Sequence, residues 1–160
     1  MKKSLIVFLV LACFSVVFLA AEEAPGFDNY VDFSISLREL DRIAEKGLTG
    51  RLENKYLILD GSVSEYQVID KNEASYTVEV ELVSGEWDGV TDVYIYRCIV
   101  VFKGKKYMEM FPERRRSVPG PQEVALNSGI VAVAKLKGVR RSGEDFIPVL
   151  DGFYLRRINK

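Results

Sequence analysis

The chain has no histidine, one tryptophan and two cysteines, and one of those cysteines, Cys13, falls inside an apolar N-terminal run. Each shortage removes a class of function. Without imidazole, Cys98 has no base to activate it as a nucleophile, and general acid–base chemistry would rest on scattered carboxylates. A lone cysteine and no histidine leave no ligand set for zinc or copper. With Cys13 in a leader, Cys98 also has nothing to pair with, so no internal disulfide is expected. No glycine-rich phosphate loop, Ser-x-x-Lys motif or nucleophile elbow occurs, and no acidic loop has EF-hand spacing. No catalytic residue, metal site or cofactor is therefore assigned, and the chain is not expected to be an enzyme. Neither sign of charge dominates: 22 Lys and Arg stand against 23 Asp and Glu, net −1. Losing Lys2 and Lys3 with a leader gives −1 − 2 = −3. Such a chain lacks the global positive field of a strong nucleic-acid binder, though local basic patches are compatible with it.

What is present is apolar. Hydrophobic residues make up 48% of 160 positions, enough for one core and far from a disordered composition. Residues 1–21 read as a secretory signal: Lys2-Lys3, an apolar stretch from Leu5 to Leu19, then Ala20-Ala21 before Glu22-Glu23. Two rival readings are an uncleaved anchor and a lipoprotein leader acylated at Cys13, within Val10-Leu11-Ala12-Cys13. Residues 22–47 form a polar entry and a short helix. Ser36-Leu37-Arg38-Glu39 is a capping box, Leu37, Leu40, Ile43 and Ala44 recur at helical spacing, and Gly47 stops the helix. Such a helix either closes one mouth of a β-domain or binds a partner.

Residues 48–160 alternate with period two. Leu57, Leu59, Gly61 and Val63 share a face until Tyr66 and Val68 switch phase, which predicts a bent or bulged strand. Tyr76, Val78, Val80 and Leu82 alternate cleanly with Thr77, Glu79 and Glu81. Gly85 to Gly89 reads as a loop, Val93 to Phe102 as a long strand, and Tyr107 to Phe111 as a short returning strand. Three prolines at 112, 119 and 121 break the pattern, and a short helix is predicted from Pro121 to Leu126. The chain ends in a hairpin, Gly129 to Ile158, turning at Arg140 to Asp145.

This order predicts a mainly β fold: a small five-stranded OB-like barrel with a short N-terminal helix and a short helical link between strands three and four. The residues Leu59-Asp60-Gly61-Ser62-Val63, Arg97-Cys98-Ile99-Val100 and Ser128-Gly129-Ile130-Val131 with Leu136-Lys137-Gly138, after the helix Leu37 to Lys46, resemble the bacterial OB-fold proteins of the tRNA anticodon-binding-domain-like type. That resemblance implies a barrel rather than a defined activity.

The candidate ligand or partner residues are Trp87 in an acidic loop, Tyr94 and Tyr96 as a stacking platform, and the basic run Arg114, Arg115 and Arg116 beside Lys103, Lys105 and Lys106. Each has a plainer reading: rim packing for the aromatics, a solvated loop for the arginines. Cys98 is expected buried and inert, and Glu79 with Glu81 a wet face. The functional expectation is an exported, periplasmic, non-enzymatic binding module of the bacterial envelope that recognises a protein partner. Nucleic acid is not expected, and membrane contact is expected only through a retained leader or acylated Cys13. The alternative is a binder of a small anionic or polymeric ligand, an oligosaccharide or a nucleic acid, on the barrel face.

Overall fold

The computed structural model describes residues 30–114 and 118–158, so the leader expected at 1–21 lies outside the described residues. No described helix is long and apolar enough to cross a membrane. The elements are β1 (Val31–Asp32), α1 (Leu37–Glu45), β2 (Tyr56–Asp70), β3 (Thr77–Asp88), β4 (Asp92–Lys103), β5 (Gly129–Ser142) and β6 (Asp145–Arg157).

The strand β2 closes the sheet. Its first half, Tyr56 to Ser62, pairs antiparallel with β5, and its second half, Ser62 to Asp70, pairs antiparallel with β3. From β3 the ring runs through β4, which pairs parallel with β6 at Ile99–Phe102, and β6 returns antiparallel to β5. Five strands in the order β2-β3-β4-β6-β5 and back to β2 make the OB-fold barrel expected from the sequence. Against β3 the register of β2 shifts between Val63 and Glu65 and again between Val68 and Asp70; the first shift is the expected change of phase and lets both Val63 and Tyr66 point inward.

The interior is filled by the inward phase of every strand: Leu57, Leu59, Val78, Val80, Leu82, Cys98, Val100, Ile130, Ala132, Ala134 and Leu150 are all fully buried. One mouth is closed by α1. Ser36 Oγ accepts from the Glu39 amide at 3.2 Å, and the helix ends at Gly47 (φ +66) with Leu48 N–H donating to Ile43 C=O. Between those stops Leu37, Leu40, Ile43 and Ala44 are buried against the barrel. The other mouth is closed by aromatics, Tyr66, Tyr76, Phe102, Tyr107 and Phe111. The Tyr76 hydroxyl donates to the Phe111 carbonyl and the Tyr66 hydroxyl to that of Pro112. Burial pushes the Tyr76 phenol up to about 12.

The link between β4 and β5 differs from expectation. Tyr107 to Phe111 is not a strand but follows a single 3-10 turn, Lys105–Tyr107. At its end β4 is already flanked by β3 and β6, so a returning strand has no free edge to join. The predicted helix from Pro121 to Leu126 is also absent, since its backbone groups serve the barrel instead. Arg157 donates to the carbonyls of Pro121 at 2.7 Å and Glu123 at 3.1 Å, and the Val124 amide bonds Met110 C=O.

At Gly152 a Cβ would lie 2.8 Å from Val100 Cγ1 and closer still to the Phe102 ring. Nothing crowds Gly138. Gly152→Ala is therefore expected to cost about 1–3 kcal/mol by urea unfolding, as overpacked cores do, with Gly138→Ala near neutral in the same assay.

Candidate nucleic-acid interface

Trp87, Tyr94 and Tyr96 do not sit in a loop or on the barrel wall. β3 and β4 run on past their last barrel neighbours, pairing from Ser84 with Tyr96 to Asp88 with Asp92, and form a projecting two-stranded arm. Trp87 is 70% exposed, on the opposite phase from Tyr94 and Tyr96. Tyr94 and Tyr96 instead face α1 across a cleft of about 620 Å³ that also takes in Arg38, Asp41, Arg97 and Phe146. The arginines there are already engaged: Arg38 with Glu86, Arg42 with Glu39, and Arg97 with Asp145 and Glu81. Dehydration, with Glu45 next in effect, raises the Asp41 carboxyl above its ordinary value. From Ser84 to Tyr96 the arm carries Glu86, Asp88 and Asp92 and no Lys or Arg. It is an acidic surface, unsuited to phosphate.

Of the basic run and its neighbours, the structure describes only part. Arg114 is exposed, while Arg115 and Arg116 lie outside the described residues. Lys105 is paired with Glu73, and Lys71 with Glu113 next to Arg114. Cys98 is fully buried and burial pushes its thiol up, so it stays protonated. No group of three or more metal-ligating side chains exists among the described residues.

The outer wall of β3 and β4 is neutralised internally. Glu79 holds Arg140 through two bonds of 2.7 and 2.9 Å, and Glu81 accepts from Ser64 Oγ at 3.1 Å. These two glutamates are structural acceptors, not a cation site.

A different face carries the combination of aromatics and cations. On the outward side of β2, β5 and β6, three rows of residues line up: Asp60, Val131 and Arg156; Ile58, Val133 and Tyr154; Tyr56, Lys135 and Asp151. A register shift between Val133 and Ala134 adds an extra residue to β6. Gly152 stays inward against Phe102, and the consecutive Phe153 and Tyr154 both turn out, 46% and 54% exposed. Phe153 meets Tyr56 edge-on at 5.2 Å between ring centres, and Lys135 Nζ stands 4.1 Å over the Tyr56 ring. Lys106 donates to the Phe153 carbonyl at 3.2 Å, as does the Tyr107 hydroxyl at 3.0 Å. Lys103 ends β4 one residue beyond the Phe102–Gly152 pair. Among the described residues Lys103, Lys106, Lys135 and Arg156 form no salt bridge to a carboxylate.

No family model and no curated protein matches the chain. Solved structures similar to it include the protein PriB from Ralstonia solanacearum (11% identity, TM-score 0.40, 65% of this chain and 97% of that one). They also include a Plasmodium falciparum SSB in complex with single-stranded DNA (10% identity, TM-score 0.43, 65% and 94%). A third is a small single-stranded DNA-binding protein from Streptomyces coelicolor (14%, 0.41, 64% and 91%). At these identities the likeness is one of fold. None of them singles out the anticodon-binding-domain-like type, and the OB-fold itself stands on the strand order. Two carry single-stranded DNA in their names, against the expectation of an exported protein-recognition module with no nucleic-acid partner and nearer to its alternative, a polymeric ligand on the barrel face. The protein-recognition module, the expected lack of a nucleic-acid partner and the periplasmic location therefore do not stand. The net charge misleads for a local reason: among the described residues, a near-neutral chain sets cations without a carboxylate partner beside aromatics on one wall.

Hydrogen bonds from Arg140 hold the Glu79 carboxyl below its ordinary value of 4.5. A carboxylate depressed in the folded state contributes stability above the unfolded value and loses it as pH falls through the folded one. Arg140→Ala should therefore lower stability by less than about 1 kcal/mol at pH 7, the pair being partly exposed. The difference from wild type should disappear in unfolding curves taken well below pH 4.5.

Proposed function

We propose that the chain binds single-stranded nucleic acid along the outward face of β2, β5 and β6, without performing chemistry on it. The observation that carries this reading is the contiguous set of Tyr56, Phe153 and Tyr154 bordered by Lys103, Lys106, Lys135 and Arg156. Exposed rings offer stacking surfaces that any unpaired base can use, and bordering cations take the phosphates. Half-buried Ile58 and Val133 supply a dry floor between the rings. The acids on the face are Asp60 and Asp151, and Lys137 lies 3.6 Å from Asp151. Four unpaired cations therefore outweigh one free carboxylate.

Aromatic walls also suit sugars, but a neutral oligosaccharide gains nothing from four unpaired cations, whereas a polyanion does. Duplex is disfavoured because its bases are already stacked on one another and cannot reach the rings. The rings lie on strands of a closed barrel rather than on loops, so the platform is pre-organised and little ordering cost falls on the protein.

Fluorescence anisotropy with labelled oligothymidylate and oligouridylate tests this directly. Four phosphate contacts on a single strand predict a slope of about −2.8 in log affinity against log salt, or roughly a fiftyfold loss between about 50 and 200 mM. Phe153→Ala and Tyr154→Ala should each cost about 1–3 kcal/mol of binding, and Lys135→Glu should flatten the salt slope. Trp87→Ala should bind no more weakly than wild type. Salt-independent binding, or a Tyr154→Ala protein indistinguishable from wild type, would overturn the reading. So would tighter binding to a neutral oligosaccharide.

A further inference from the structure

One carboxylate on the β2–β5–β6 face works against the binding of a polyanion there. Asp60 is exposed, and it forms no salt bridge among the described residues. The ladder sets its place. Asp60 pairs with Val131 and Val131 with Arg156, so the carboxylate and the guanidinium stand on one row with a half-buried valine between them. Two strand spacings hold their backbones about 9.5 Å apart.

The rows on either side turn this row into a slot. On one side stands Tyr154, opposite Val133 and 54% exposed. On the other side Ser62 pairs with Gly129, and the Ile158 amide donates to the Gly129 carbonyl at 2.8 Å. Gly129 brings no side chain to the face, and Ile158 closes in on it: a Cβ at 129 would lie 3.7 Å from Ile158 Cβ. Tyr154 and Ile158 are four residues apart on one strand, about 13 Å at the usual rise, which leaves room for a flat base stacked on the tyrosine ring. The slot has Val131 for a floor, Tyr154 and Ile158 for walls, a carboxylate at one end and a guanidinium at the other.

The two ends select the base. An ionised carboxylate only accepts hydrogen bonds and a guanidinium only donates them. Guanine offers the carboxylate two adjacent donors, N1–H and the 2-amino group, and its neighbouring edge carries O6 and N7, the acceptor pair that arginine takes bidentately. Thymine and uracil show one N–H between two carbonyl oxygens, which a carboxylate repels. Adenine and cytosine set their amino group beside a ring nitrogen that only accepts.

We infer that Asp60 and Arg156 form a base-reading subsite that selects guanine from a single strand. The base stacks on Tyr154, donates from N1 and the 2-amino group to Asp60, and accepts at O6 and N7 from Arg156. The inference rests on the proposed binding of single strands and adds a base preference to it. In an all-thymine strand Arg156 is left to a phosphate and Asp60 is only repulsive.

Fluorescence anisotropy of the full chain, at one fixed salt concentration, is the test. The probes are a short labelled oligothymidylate and the same oligomer with one central deoxyguanosine, which avoids the self-association of guanine-rich strands. The guanine oligomer should bind about tenfold more tightly, the discrimination a bidentate base contact supplies. Deoxyinosine at that position lacks the 2-amino group and should lose most of the gain. Asp60→Ala should abolish the preference and bind oligothymidylate at least as tightly as wild type, because an anion has left the face. Asp60 is exposed, and circular dichroism confirms that the variant is folded. Equal binding of both oligomers by wild type, a preference that survives Asp60→Ala, or deoxyinosine as good as deoxyguanosine would each overturn the inference, while salt-dependent binding of oligothymidylate would still support the proposed function. Failure to bind either oligomer would overturn both.

Discussion

The structure depends on one strand serving two neighbours. β2 must pair with β5 along its first half and β3 along its second, and a straight strand cannot do both. The turn is made at Ser64, whose hydroxyl reaches Glu81 across the sheet, while the Val63 amide and carbonyl are taken by Ser128 and Asn127. Closure removes the open sheet edges of the barrel itself and leaves them only beyond it, on the β3–β4 arm. It also sets the space inside. Where strands converge the interior takes Ala132, Ala134 and Gly152, and where it widens toward a mouth it takes rings. Gly61 marks the point at which the helical plug meets the bend: a Cβ there would lie 3.0 Å from Leu37 Cδ1 and 3.1 Å from Val83 O.

The described barrel interior is filled by buried side chains and its mouths are closed by α1 and by aromatics, which leaves its outer walls as the surfaces on offer to a ligand. The outside is not uniform because the strands are not regular. The shift in β5–β6 register that admits Gly152 beside Phe102 is the same shift that turns two successive residues, Phe153 and Tyr154, outward. A packing requirement in the core thus produces the aromatic face on the surface. The Tyr107 hydroxyl and Lys106 ammonium both bond the Phe153 carbonyl, which ties that face to the plug of the nearby mouth.

The barrel was legible because closure forces period-two alternation, and the helix because Ser36 and Gly47 bracket one turn-periodic apolar stripe. Three features were not. The arm reads as a loop because Gly85 and Gly89 look like turn residues, and a ribbon with no core behind it leaves no alternation to detect. The link at 107–111 reads as a strand because Tyr107, Met108, Met110 and Phe111 are apolar. They are apolar because Tyr107 and Phe111 stop a mouth, which no local pattern announces. The Phe153–Tyr154 face was missed because strict alternation assigns one of two adjacent residues to the interior. The glycine before them, on a strand otherwise well patterned, was the available signal of a bulge.

Composition misleads here for a further reason. A net charge of −1 describes a sum, while function follows what is left after neighbours cancel. Arg140 with Glu79, Arg97 with Glu81 and Asp145, Lys105 with Glu73 and Lys71 with Glu113 cancel in place. Among the charges that no salt bridge cancels, Asp88 and Asp92 stand at the end of the arm, and Lys103, Lys106, Lys135 and Arg156 gather around three rings. The basic run at 103–106 therefore contributes through Lys103 and Lys106, which border the aromatic face, and not through Lys105, which is paired. A chain whose charges nearly balance can still leave cations without carboxylate partners beside exposed rings, because the fold and not the sum decides which charges meet.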